Sequence, residues 1–130
     1  MMRDFYAIDQ YPFEVEGAAK NIDRFTGNDE LGRIFMVRHD HEIVGYIILT
    51  FGFSFEYGGR DAFIDELFLE ENYRGQGIGK VVMELTIAAA KVLSVQAIHL
   101  EVETHNDQAS KLYTNQGFES NNRKLLSKRL

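Results

Sequence analysis

Apolar positions along this chain switch between two rhythms. After a short cluster at Phe5, Tyr6 and Ile8, read as a brief helix, Val15, Ala18, Ala19, Ile22 and Phe25 recur at a helical period, and Gly27 stops that helix. Arg33–Arg38 is rich in β-formers, and His39–Glu42 reads as a hairpin turn. Ile43–Phe53 is a longer apolar run, expected to be a strand covered on both faces. Phe51, Phe53, Phe55 and Tyr57 share a face if that strand continues, until Gly58-Gly59 ends it. Ala62–Leu69 reads as another strand, followed by the polar stretch Glu70–Tyr73 and a glycine-rich turn. Ile78, Val81, Val82, Leu85, Ala88, Ala89 and Val92 then predict a helix buried along that stripe. In Gln96–Glu103, Ile98, Leu100 and Val102 take one side of a strand and His99, Glu101 and Glu103 the other. Asn106 can cap a helix from Asp107 to about Gln116, Gly117 stops it, and Phe118 and Lys124–Leu130 read as terminal strands. Helices alternating with strands in this order predict an α/β or α+β layered domain.

Composition narrows the class. The chain has 130 residues, 45% hydrophobic and 26% charged, which suits one globular domain over residues 1–130. Its 14 Lys plus Arg against 20 Asp plus Glu give a net charge of -6, so no broad basic surface for nucleic acid is expected, a balance that still leaves room for a local anion site. The absence of cysteine removes a disulfide framework, a thiol nucleophile and a thiolate zinc site. His39, His41, His99 and His105 share no metal-binding spacing, so no metal is expected. No apolar run reaches the ~18 residues that span a bilayer, and the N-terminus lacks a signal-peptide core. A soluble cytoplasmic domain, with no membrane partner, is the expectation.

One proline stands against 11 glycines, so the glycines must be explained by where they sit. Gly75, Gly77 and Gly79 fall at alternate positions directly before a helix. Glycine allows positive φ and close approach of a ligand to the backbone. The unpartnered N–H groups of a helix start favour an anion, and Arg74 at the lip adds a cation. A P-loop would put its first glycine on Arg74 and its hydroxyl on Val81, and a dinucleotide fingerprint needs a different spacing, early in a βαβ unit. The remaining pattern, R-x-x-G-x-G, is met by Arg74, Gly77 and Gly79. Spacing alone leaves a plain tight turn equally open.

The rest of the chain separates these readings. Ile64-Asp65-Glu66-Leu67-Phe68-Leu69, with Glu70–Tyr73 and Arg74–Lys80, resembles the central motif of the GNAT superfamily of N-acetyltransferases. Leu100-Glu101-Val102, Asn106–Tyr113 and Gly117-Phe118-Glu119 are similar to its second motif, and Val44-Gly45-Tyr46-Ile47 to its third strand. The two motifs span Ile64 to about Glu119, nearly half the chain. The resemblance implies a mixed, splayed β-sheet flanked by helices, with acetyl-CoA as co-substrate. It implies that the backbone of Leu67, Phe68 and Leu69 pairs with the pantetheine arm. It also implies that the backbone of Arg74, Gly75, Gln76, Gly77, Ile78 and Gly79 holds the pyrophosphate, and that Ala62–Leu69 and Gln96–Glu103 part to admit the arm. Asn106 and Tyr113 are seven residues apart, so they share a helix face about 10 Å apart along the axis. By the resemblance, Asn106 touches the cofactor and Tyr113 is the general acid that protonates the departing thiolate. From the residues alone, an ordinary cap and an aromatic core residue remain open.

An amine must lose a proton to attack. Glu66 is the first candidate base, because Asp65-Glu66 resembles the acidic pair of polyamine N-acetyltransferases. Glu101 is the second, at the position of the proposed base in acetyltransferases that act on a ribosomal protein's N-terminus. In a regular strand Asp65 and Glu66 point to opposite faces. For Glu101 and Glu103 a solvated face is as good a reading. Glu56, Tyr57 and Asp65 are candidates for binding the acceptor, since acids and aromatic faces suit a cation. The expected reaction is acetyl transfer to a small cationic primary amine. The alternatives are a protein or peptide N-terminus as acceptor, or a domain that binds acyl-CoA without transferring it. One departure from the family stands out. Members usually begin with a strand and a complete first helix, but Met1–Phe13 leaves little room, so the first strand is expected to be absent or vestigial. Either residues upstream of this start codon supply it, or a partner chain covers the open edge, which makes a homodimer plausible.

Overall fold

The computed structural model describes residues 1–130. Two short helices, α1 (Met2–Ile8) and α2 (Val15–Thr26), lead into three strands, β1 (Gly32–His39), β2 (Glu42–Ser54) and β3 (Gly59–Leu69). These pair antiparallel in sequence order. A 3-10 turn at Glu71–Tyr73 precedes α3 (Ile78–Val92), which returns the chain to β4 (Ala97–Leu100), parallel to β3; α4 (Asp107–Asn115) follows. The result is one mixed sheet in the order β1-β2-β3-β4. β1 and β2 are joined through Asp40 and His41, both left-handed at φ 46° and 71°. That handedness matches the twist of a two-residue hairpin.

β2 has a neighbour on each edge and helices over both faces, so residues 44–49 are all buried. On one face Ile47, Leu49, Ala62 and Ile64 pack against Val82, Met83 and Ala90 of α3. On the other, Tyr46, Ile48 and Phe68 meet Met2 and Phe5 of α1 and Phe25 of α2. This second layer is thin, for neither α1 nor α2 contains a buried residue. Glu14 starts α2 by accepting from the N–H groups of Glu16 and Gly17.

Several elements differ from the pattern's prediction. The buried stripe of α3 is Val82, Met83, Thr86 and Ala90, whereas Val81, Leu85 and Val92 are exposed. This helix is apolar around most of its girth, and the buried stripe is disguised by Thr86, whose hydroxyl donates to the Val82 carbonyl at 2.7 Å. β2 stops at Ser54, whose Oγ accepts from the Tyr57 N–H and closes a turn, so Phe55 and Tyr57 do not extend the strand. β4 ends at Leu100, three residues before the expected Glu103. No strand forms at Phe118 or Lys124–Leu130. Adjacent Leu125 and Leu126 would point to opposite faces of a strand, and both are exposed.

Candidate active site

The site begins with an irregularity in β3. Leu49 pairs with Ile64 and Ile48 with Glu66, which leaves Asp65 as an unpaired bulge. The last pair between β3 and β4 is Ile64 with Leu100. Beyond it the strands part. Glu66–Leu69 remain paired to β2 on one edge, while Glu101–Glu103 leave the sheet on the other. A cleft of about 370 Å³ fills the gap, lined by Asp65, Glu66, Leu67 and Leu69 on one wall and Leu100–Glu103 on the other. The unpaired backbone of β3 offers an extended ligand the hydrogen bonds of a missing strand.

At one end of the cleft lies the glycine turn. Gly75 and Gly77 are left-handed, at φ 71° and 81°, a conformation costly for any residue with a Cβ. Gly79 serves differently: a Cβ there would lie 3.3 Å from Leu112 Cδ2, so its smallness lets α3 start close against α4. No side chain caps α3, and no acid lies in its first turn. Its leading N–H groups therefore keep their positive end for an anion. Arg74 and Lys80 line this end. The Arg74 Nε donates to the Leu69 carbonyl at 2.8 Å, and its guanidinium lies 5.4 Å from the centre of the Phe68 ring, which fixes the cation at the lip.

Tyr113 reaches the cleft from α4, and its place is set by how that helix stops. Gly117, at φ 91°, turns the chain so that the N–H groups of Gly117 and Phe118 bond the carbonyls of Thr114 and Tyr113. This is a Schellman ending, and it brings the Phe118 ring edge-on to Tyr113 at 6.0 Å. Burial alone raises the Tyr113 pKa above its ordinary 10.0, so the phenol stays protonated at neutral pH. Asn106 also lines the cleft, and its Oδ1 accepts from the Ala109 N–H at 3.1 Å. Its carbonyl is committed to the cap, and its amide N–H donors are what it can offer a ligand.

The other end of the cleft is acidic, with Asp9, Asp65, Glu66, Glu101 and Glu103 in its lining. Along β3, Glu66 is three residues from Leu69, or ~10 Å at strand rise. Glu66 is 4% exposed, and Tyr46 Oη donates to it at 2.8 Å. Desolvation raises its pKa; the hydroxyls of Tyr46 and Tyr6 work against that rise, and the Asp65 charge adds to it. Asp65 keeps contact with solvent yet is also raised by desolvation. A second recess, of about 620 Å³, opens between α2 and the sheet, and Asp65 and Glu66 line it too. The bulge thus overturns the expectation that these two residues face apart: both line both hollows.

Of the residues expected at the site, the cleft gathers Asp65, Glu66, Leu67, Leu69, Arg74, Gly75, Gly77, Gly79, Glu101, Asn106 and Tyr113. Phe68 turns the other way, stacking on Tyr46 at 5.9 Å, and Ile78 packs against the core. The Gln76 side chain donates to the Asn72 carbonyl. Glu56 and Tyr57 line neither hollow. They sit in the β2–β3 turn, where Glu56 takes a two-pronged pair from Arg123 at 2.7 and 2.9 Å and Tyr57 packs on His99. Sequence reasoning missed Lys80, visible as a cation in the first turn of α3. It also missed Tyr46 and Tyr6, whose meeting at Glu66 depends on long-range packing and leaves no local signal.

Comparison with known proteins agrees with this architecture. The acetyltransferase (GNAT) family profile matches residues 1–118. An uncharacterized N-acetyltransferase of Mycobacterium tuberculosis is 32% identical over 88 residues, 68% of this chain and 53% of that protein. Thialysine N-epsilon-acetyltransferase of Bos taurus is 30% identical over 71 residues, 55% of this chain and 41% of that protein. The chain thus matches about half the length of these curated relatives. Among solved structures, an integron cassette protein from the mobile metagenome of Cole Harbour Salt Marsh superposes with a TM-score of 0.88 at 33% identity, covering 99% of this chain and 80% of that one. An aminoglycoside N-acetyltransferase in complex with CoA shares the fold, with a TM-score of 0.71 at 14% identity over 88% of this chain and 87% of that one. With the splayed strands, the glycine turn and the profile covering nearly the whole chain, this protein belongs to the GNAT family of acetyltransferases.

Proposed function

We propose that this domain transfers an acetyl group from acetyl-CoA to a small cationic amine. The observation that carries this reading is the polarity of the cleft. One end has unpartnered helix N–H groups with Arg74 and Lys80, and suits a diphosphate; the other gathers carboxylates, and suits an ammonium. The free edge of β3 between them fits the amides of a pantetheine arm. Acetyl-CoA, when bound, supplies the activated acetyl carbonyl. The backbone of Leu67–Leu69 would orient the arm, and a backbone N–H near Leu67 would polarise that carbonyl. Glu66, with its proton affinity raised by burial, would accept the proton of the attacking amine; Glu101, exposed on the facing wall, is the second candidate. As the new C–N bond forms and the C–S bond breaks, Tyr113 would hand its proton to the sulfur. The bovine relative's name, a thialysine N-epsilon-acetyltransferase, supports a small amine as acceptor.

The test follows thiol release with a panel of amines. Wild-type protein should turn over acetyl-CoA faster with at least one amine than with buffer. Tyr113→Phe should lose about a hundred-fold in kcat, while acetyl-CoA still raises its Tm as in wild type. Equal turnover by the two proteins removes Tyr113 from the mechanism. Thiol release no faster than buffer across the panel removes the transfer reading itself.

A further inference from the structure

Helix α3 carries two apolar stripes, and the folded chain uses one. Val82, Met83, Thr86 and Ala90 face inward. Val81, Leu85 and Val92 are 51%, 66% and 85% exposed, and Ala88 is exposed with them. These four follow one another at spacings of four, three and four residues. At about 100° per residue they fall within an arc of about 60°, on the far side of the helix from Met83, Thr86 and Ala90. That is the alternation of a coiled-coil seam. A lone exposed leucine is ordinary, but an apolar seam running the length of a helix marks a contact surface.

Nothing in the chain covers the seam. Leu112 of α4 approaches α3 at Gly79, on its inner side. The terminal segment lies across the sheet, where Arg129 lines the recess beneath α2.

The seam is complementary to itself. Turning α3 end for end about the point between Thr86 and Ile87 sets Leu85 against Ala88 of a second copy, and Val81 against Val92. A bulky residue meets a small one at the centre, so the two helices can pack closely, and their dipoles oppose. Glu84 and Lys91 stand seven residues apart on one flank of the seam, both exposed. In an antiparallel pair that flank runs beside its own counterpart, so Glu84 of each copy meets Lys91 of the other. Within its own chain Glu84 reaches only Lys80, at 4.0 Å. The opposite flank, Val82 and Ala89, carries no charge to conflict.

We propose that the exposed stripe of α3 is a two-fold interface with a second copy of this chain, the two helices packing antiparallel. The proposal stands apart from the transfer reading, since it needs neither acetyl-CoA nor an acceptor.

Sedimentation equilibrium tests it. Wild type should pass from the mass of one chain to that of two with a Kd of about 1–100 μM, in keeping with an interface of one helix pair. Leu85→Glu and Val92→Glu, made separately, change side chains that the single chain leaves in solvent. Each should keep the wild-type helical spectrum and remain at the mass of one chain over the same range. Glu84→Lys and Lys91→Glu should each raise Kd about ten-fold, because the two-fold counts every like-charge contact twice. Mixed in equal amounts, these two variants restore opposite charges at both contacts and should pair with each other at about the wild-type Kd. A wild type that stays at one chain's mass up to about 1 mM overturns the interface, as does a dimer that neither glutamate variant weakens. Charge variants that do not recover on mixing overturn the antiparallel arrangement.

Discussion

Glu66 lies almost fully enclosed among Tyr46, Tyr6 and the sheet, and two effects compete over its proton. Desolvation favours the neutral form, and the tyrosine hydroxyls favour the carboxylate; desolvation is the larger. A carboxyl whose folded pKa is raised is no burden below its ordinary 4.5, where folded and unfolded chains are both protonated. As pH rises through the folded value the buried charge costs stability. Glu66→Gln keeps an acceptor for Tyr46 and removes the charge. Its Tm should match or exceed wild type at pH 7, and the gap should close near about pH 4, while turnover is lost throughout. A variant melting well below wild type at pH 7 would make Glu66 a net stabiliser instead. Glu66 and Tyr113 could be singled out in the chain because each sits in a stretch that resembles a motif of the family. Tyr46, Tyr6, the Asp9–His105 pair and the Tyr11–Glu103 hydrogen bond could not, since their partners lie 20 to 96 residues away and only packing brings them together.

At the level of helices and strands, most boundaries follow from local chemistry, and the failures have local causes. The bulge at Asp65 has no residue signature; it arises from the mismatch between Ile64–Glu66 and Ile48–Leu49 across the ladder, and it puts both acids at the junction of two hollows. The buried stripe of α3 departs from its pattern because two apolar faces compete, and only the sheet beneath chooses between them. The end of α3 carries no local signal either, for it lacks the usual glycine. Ser94 takes the left-handed position at φ 63°, with its own N–H bonded to Lys91 and that of Val95 to Ala90. A residue with a Cβ pays about 1 kcal/mol there. Ser94→Gly should recover much of it and raise Tm by roughly 3–5 °C in a thermal melt, with kcat unchanged. No gain would mean that a side-chain contact of Ser94 offsets the strain.

Across the whole molecule, charge is sorted rather than spread. A net charge of -6 repels a polyanion at a distance, so under the proposed function CoA would depend on the local amides and cations of the α3 start. For a cationic acceptor the overall field and the acids of the inner site pull the same way. Its KM should therefore rise with ionic strength, by a few-fold between roughly 0.02 and 0.2 M salt; a KM indifferent to salt would place the acceptor away from these carboxylates. The two faces of the sheet also differ in how firmly they are covered. Because α2 buries no residue, its hydrogen bonds can open without exposing the core that β2 shares with α3. In native-state hydrogen exchange the α2 amides should trade protons for deuterons long before those of β2, and a wild type in which both exchange together would refute this. On that expectation the roof of the 620 Å³ hollow would open before the sheet beneath it. Such an opening would leave the strands and the glycine turn in register, so access from that face and the geometry of the cleft would be set by separate parts of the chain.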